Sequence, residues 1–535
     1  MSCETYPFDA RAKSQYKSNP AIQLFGNRLF IDQSPPELLS ELLLILISEK
    51  RIGSDVVSEK FPRTELLKNW TNAPLEYSPK ARLNIKLFSF LGASRLGSRH
   101  ITHLQHLQQL FKTVVSEINT PSSANAEDVV RTLENLFLGF QCSGSGRAWC
   151  AQTFLPVSPA LLACESIWKQ SRARSKKPKT WEELLETESE YFDMSQHLFF
   201  ARGGEVLYLQ ICNALRQPSE TIRQWVAQNE ISITSEEQNP EWLRDELEHE
   251  LNHLMARCPS TLTEIAEFID SGVERDTSQS TDYPDGKQRW ATAGWCSLES
   301  WQEGYLFAVE LLRLCKADLD LIDRLYLLET ACSMQVLRTL AMQSSRHVSP
   351  EFNVGWPGYR MAISAPDDKR PAIKRLSQHT VRVIEKQIFQ SIRSDEIMLP
   401  QGEKEPDKSL KLADRRYAGK LFIGLAKRIG LIVPRRGRGA RFVLNERLLR
   451  FLVMTTVPIG GRITLDTFKT IVEHRHGIVF DAQGLNRANT WMEGTEVFLS
   501  SDSDIWLQNM LEASGLLIHL SDSCALIENP AESSN

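Results

Sequence analysis

The stretch 411-KLADRRYAGKLFIGLAKRIGLIVPRRGRGARFVLNERLLR-450 decides how this chain is read. Its first part, 412–429, carries apolar residues at helical spacing. Gly430 stands where a glycine commonly ends a helix. Residues 431–433 (LIV) then read as a strand, 434–440 as a turn, and 441–444 (RFVL) as a returning strand. Helix, short strand, basic turn, strand is the order of a winged helix. In such a unit the helix enters the major groove of DNA and the hairpin touches the backbone or minor groove. The charge agrees with that order. Twelve lysines and arginines stand in 411–450 against Asp414 and Glu446 alone, a local balance of +10 in a chain whose formal net charge is −5. Clustered cations displace counterions from phosphate, so this window says more about partners than the whole-chain charge does. The expected DNA contacts are Arg415, Arg416, Lys420, Lys427 and Arg428 on the helix, and Arg435, Arg436, Arg438 and Arg441 around the turn. Gly437 and Gly439 permit positive φ and close approach to a phosphate.

A weaker echo follows. Residues 506–514 read as a helix, Gly515 stops it, 516–520 are apolar, 521–523 (SDS) turn, and 524–527 return. This second copy has no basic turn, and it reads as a structural or protein-binding winged helix paired with the first.

Outward from these units, 535 residues suggest several domains. Helical periodicity dominates at 35–49, 101–118, 126–140, 241–258, 260–271, 298–315, 318–342 and 373–392, and 181–215 reads as a helical hairpin broken near Gly203-Gly204. Polar breaks fall at 120–125, 171–179, 276–287, 364–371 and 400–408, with a frayed end at 531–535. The expected fold is mainly α: a multi-domain helical body with C-terminal winged-helix-like (α+β) domains. The expected division is 1–120, 121–275 and 287–399 for helical domains, then 409–457 and 458–530 for the winged-helix-like ones. No apolar run approaches the roughly 18–20 residues that span a bilayer. Residues 1–16 lack the basic start and apolar centre of a signal peptide. A cytoplasmic protein without membrane contact is expected. The ten cysteines form no Cys-x-x-Cys pair, and several stand in apolar runs, so they read as small buried hydrophobes.

One constellation points to chemistry. His249-Glu250-Leu251-Asn252-His253 has the H-E-x-x-H spacing, which in zinc peptidases sets two imidazoles one turn apart and uses the glutamate as general base. The helical wheel argues against it here. Leu243, Leu247, Leu251, Leu254 and Cys258 share one face, and His249 and His253 fall opposite, where the usual fate is solvation. No third ligand stands in a diagnostic motif. The expectation is therefore no catalytic residue and no cofactor, with zinc held by His249 and His253 and Glu250 as base kept as the alternative. His100, His103 and His106 read as the edge of an apolar helix face. Gly92–Gly97 has P-loop glycine spacing, but Ser98-Arg99 replaces the lysine and hydroxyl that hold phosphate and magnesium. Gly144-Ser145-Gly146-Arg147 lacks the full dinucleotide spacing.

Two phrases, LFGNRLF at 24–30 and GLLIHLSDSCALIENP at 515–530, resemble the start and the C-terminal end of large bacterial proteins from defence operons, such as the DruB component of Druantia-type anti-phage systems. The resemblance implies a cytoplasmic protein acting with partner gene products, including a large helicase, and carries over no active-site residue. Together these readings give a non-catalytic subunit of an antiviral system that contacts double-stranded DNA through its basic C-terminal unit. A zinc-dependent hydrolase and a protein-interaction scaffold are the alternatives.

Overall fold

Helix α1 (Pro35–Ile47) starts where it does because Ser34-Pro35-Pro36-Glu37 folds back on itself. The Ser34 N–H donates to the Glu37 carboxylate at 2.7 Å, and proline occupies the first helical position, where a missing N–H costs nothing. Its partner α2 (Arg202–Leu215) is buried along its whole length, the mark of a helix enclosed on every side. The Gly203-Gly204 pair, where the sequence reads as a break, lies in the first turn of α2, and the rest of the expected hairpin before Arg202 lies outside the described residues. A Cβ on Gly204 would stand 2.3 Å from the Leu42 amide nitrogen and 2.4 Å from Glu41 Cβ. Glycine there lets the two backbones touch, and the Gly204 N–H donates to Glu41.

This computed structural model describes, with gaps of one or two residues, 4–7, 19–79, 108–138, 202–272, 290–348, 355–397, 406–491 and 505–530, together with the paired strands Ile167–Trp168 and Phe192–Asp193. The expected features at 92–97, 100–106, 144–147, 171–179, 276–287 and 531–535 lie outside the described residues. The described residues are mainly helical, with small sheets. After α2 come α3 (Ser219–Gln228), α4 (Pro240–Ala256), α5 (Trp301–Lys316) and α6 (Leu321–Arg346). Asn239 and Asp320 cap α4 and α6 by accepting backbone N–H groups. α1 packs against both α2 and α6, so residues near 40, 210 and 335 share one core. A four-stranded antiparallel sheet, absent from the expectations, lies beside them: β1 (Glu49–Ile52), β2 (Asp55–Val57), β3 (Leu75–Ser78) and β4 (Ala291–Thr292), in the order β2-β1-β3-β4. These strands are two to four residues long, too short for a period-2 pattern to stand out. Cys212, Cys296, Cys315 and Cys332 are buried free thiols, as the apolar context suggested.

The C-terminal part repeats one order of elements twice. The first pass is α6, β5 (Met361–Ala362), α7 (Pro371–Ser391), α8, β6 (Ile432–Val433) and β7 (Arg441–Phe442). α8 is one continuous helix of three segments, Pro406–Asp414, Arg415–Phe422 and Ile423–Arg428, the middle one wound with π geometry. It begins inside the 400–408 stretch that had read as a loop. The second pass is α9 (Glu446–Thr456), β8 (Arg462–Thr464), α10 (Leu465–His476), then β9 (Ile478–Val479) and α11 (Ala482–Trp491) as extra elements. It ends with α12 (Ile505–Ala513), β10 (Leu517–Ser521) and β11 (Cys524–Glu528). Each pass is helix, strand, helix, helix, strand, turn, strand. In the second, the sheet order is β8-β11-β10. In the first, β6 pairs with β7, and Ser364, just past β5, bridges Val443, just past β7. That bridge is parallel, whereas β8 meets β11 antiparallel.

A buried polar network joins these passes to the helical body. The Arg338 guanidinium donates to both oxygens of Glu310 at 2.6 and 2.8 Å, and the same nitrogen lies 3.3 Å from His476 Nδ1. Arg313 pairs with Glu237 at 2.6 Å and donates to the Thr455 carbonyl, which also accepts from Arg475. Burial, then the neighbouring Arg338 and Arg475, holds the His476 imidazole well below its usual range, so it is neutral.

Candidate nucleic-acid interface

The end of α8 is fixed by a reciprocal lock. Gly430 has φ +80°, a conformation natural to glycine, and a Cβ there would strike the Asn445 amide at 2.2 Å. That amide donates to the Ile429 carbonyl, while Asn445 Oδ1 caps α9 by accepting from the Leu448 N–H. The turn 434–440 between β6 and β7 is therefore held at a set distance from the helix end. Ser377 of α7 adds a second clamp: its hydroxyl accepts from the Phe442 N–H at 2.8 Å and donates to the Phe442 carbonyl. Gly437 and Gly439 sit at φ +99° and +87°. A Cβ on Gly437 would meet only open space, and one on Gly439 would touch the Gln378 amide at 3.5 Å. The turn thus leans along α7.

The nine sequence-nominated cations divide into two groups. Arg415, Arg416 and Lys420 are exposed along α8, and Arg435, Arg436 and Arg438 are exposed on the turn. None of these six has an ion-pair partner among the described residues. The remaining three are engaged by neighbouring parts of the fold. Arg441 donates to the Ala365 and Pro366 carbonyls at 3.1 and 2.8 Å and to the Ser364 hydroxyl. Burial lowers the pKa of its guanidinium. Arg428 reaches back to the Gln33 carbonyl. Lys427 is half-buried and lies near Glu385 of α7, whose carboxyl is raised by burial and pulled down by Arg382 and Lys427. Two other arginines of the basic window are occupied by the body: Arg447 donates to the Tyr326 carbonyl and Thr330, and Arg450 pairs with Asp323 at 2.9 Å. Asp414, one of the two acids in the window, is paired with Arg393 at 2.6 Å, so it does not offset the exposed cations.

Two glycines of α8, Gly419 exposed and Gly424 half-buried, add a shape to the charge. A Cβ on Gly419 or Gly424 would meet nothing within 4 Å. Glycine inside a helix costs up to about 1 kcal/mol relative to alanine, and here no internal packing requires it. Gly419 leaves a gap among the exposed Arg415, Arg416 and Lys420, so another backbone can approach that of α8 there. The π-wound middle segment falls on the same stretch, and such segments recur at functional sites.

Sequence reading missed a second line of cations. On α7, Arg375, Arg382 and Lys386 are exposed, and Ile373, Leu376, Thr380, Ile384 and Ile388 are buried. The signal is present as basic residues at helical spacing in 373–392, but it is weaker than the charge density of 411–450.

The H-E-x-x-H residues are set apart from this surface. Leu243, Leu247, Leu251 and Leu254 are buried, and His249 and His253 are exposed on the other side of α4. Glu248, beside them, accepts the backbone N–H groups of Lys60 and Phe61, which ties α4 to the loop after β2. Among the described residues no three His, Cys, Asp or Glu side chains gather as a metal site. No described helix is long and apolar enough to cross a membrane. The second pass differs from the first in its surface: Arg462 pairs with Glu528, Arg487 with Glu473, and the exposed residues of α12 and β10 include Ile505 and Leu520. Set against protein-family models, curated proteins and solved structures, the chain has no match in any of the three.

Proposed function

We propose that the chain is a non-catalytic, DNA-engaging subunit whose first C-terminal pass is a winged helix, with α7 and α8 as its helix pair and 434–440 as its wing. The observation that carries this is the grouping of six exposed, unneutralised cations on α8 and its adjoining turn, with glycines opening both. The order of elements in the two passes supports it. In this reading Arg415, Arg416 and Lys420 lie against the major groove and Arg435, Arg436 and Arg438 hold flanking phosphates by charge-assisted hydrogen bonds. Arg441 and Arg428 act from behind, holding the turn and the helix end in place. The second pass is a winged helix without a basic turn and serves as a protein-facing partner. The resemblance of 24–30 and 515–530 to defence-operon proteins sets the context: an anti-phage assembly in which a helicase acts on the DNA that this chain holds.

The test is duplex binding by fluorescence anisotropy across a salt series, comparing wild type with Arg435, Arg436 and Arg438 all changed to alanine. Each lost phosphate contact removes about 0.9 from the slope of log K against log salt, so the triple variant is expected to flatten it by about 2.7. A wild type that does not bind duplex, or a triple variant with an unchanged slope, refutes the reading.

A further inference from the structure

We infer that the outward stripe of α7 is a second contact line of the same interface, lying across the sugar-phosphate backbone of duplex DNA while α8 faces the groove; this rests on the DNA-binding reading above. α7 lies beside the other two elements along its length: Gln378 comes close to the wing at Gly439, Glu385 feels the charge of Lys427 near the end of α8, and Arg393, just past the end of α7, pairs with Asp414 at the end of the first segment of α8. The wing, the end of α8 and its start therefore flank α7 in turn.

The chemistry of the stripe follows from helical spacing. At about 100° per residue, Arg375, Arg382 and Lys386 fall within roughly 40° of one another, on the arc that also holds Gln378 and Glu385. At 1.5 Å per residue they cover roughly 16 Å of helix axis, enough to follow several phosphates of one strand. The opposite side is committed to the core through Ile373, Leu376, Thr380, Ile384 and Ile388. Glu385 is the only acid on α7, and it is half-buried between Arg382 and Lys427. A rigid helix with cations on one arc and apolar anchors on the other suits a regular, repeating anion. In helix-turn-helix proteins the first helix of the pair crosses the backbone while the second reads the groove, and α7 precedes α8. The partner chosen by this geometry is duplex DNA, whose phosphates are regularly spaced; an acidic polypeptide offers no such register.

The experiment uses the full chain, a fluorescent 20-base-pair duplex, and Arg375, Arg382 and Lys386 changed together to glutamine. These side chains are exposed, and a thermal melt followed by circular dichroism checks the fold. The expected result is a salt slope flatter than wild type by about 2.7, for three lost contacts. The doubly charge-retaining variant R375K/R382K should keep most of the wild-type slope. A stripe variant with the wild-type slope, measured alongside a wing variant whose slope falls, overturns this inference and leaves the DNA-binding reading intact. Failure of wild type to bind the duplex overturns both, and binding to polyglutamate in its place would identify an acidic protein as the partner.

Discussion

Changing Arg338 to Met isolates the buried junction between the helical body and α10. Glu310 is 0% exposed and Arg338 1%. In the variant the Glu310 carboxylate loses its bidentate partner and keeps the His476 imidazole at 3.6 Å and the longer-range attraction of the buried Arg475. Breaking a buried pair by removing one member costs about 3–5 kcal/mol, because a charge stays in low dielectric without its partner. Most of that belongs to desolvation and not to the pair itself. The reasoning therefore makes a second, opposite statement about the double variant E310L/R338M. Removing both charges should restore most of the lost stability, to within about 1–2 kcal/mol of wild type, since buried pairs are often near neutral against apolar residues of similar volume. Arg338 Nε and Nη1 have no hydrogen-bond partner among the described residues, which pushes the double variant further towards neutrality. The assay is urea denaturation followed by tryptophan fluorescence, with the slope checked so that only the midpoint is compared. Single variants that cost under about 1 kcal/mol, or a double variant whose loss equals the sum of the two singles, would refute the argument.

Glu329 gives a pH prediction. Burial, against the opposing pull of Arg447, pushes its carboxyl up to about 7, so the folded state holds a proton that the unfolded chain has released above its ordinary carboxylate range. That contribution is complete below about 4.5 and is lost as pH rises through 7. The ceiling is about 3 kcal/mol, and E329Q should remove this part of the slope in melting temperature between pH 5 and 8; parallel profiles would sink the assignment. The glycines give a contrast within one chain. G204A should destabilise by about 2 kcal/mol or more, since its Cβ would strike backbone 2.3 Å away. G419A and G424A, whose Cβ atoms meet open space, should each raise stability by up to about 1 kcal/mol while weakening duplex binding. Stabilisation with unchanged binding would show that no backbone approaches α8 there.

How much of this was legible in the sequence depends on whether the deciding interaction is local. The stop at Gly430, the two short strands and the basic turn are all set by residues within a few positions of one another, and they stand where they were expected. The same holds for Gly515 and the hairpin after it, apart from a residue at each strand end. The misses have the opposite character. Gly203-Gly204 reads only as a helix boundary, and the close approach it permits is to Leu42 and Glu41, some 160 positions away. The sheet of β1 to β4 needs residues near 50, 76 and 291 together. Most telling is the fate of the twelve cations. Counting charge in a window treats each as equal, but Arg441, Arg447 and Arg450 are drawn inward by Pro366, Tyr326 and Asp323. Arg375 and Arg382, outside the window, are brought alongside by the packing of α7. A surface charge is a property of the fold, so the window located the region and only the packing could say which of its arginines are free to meet a phosphate.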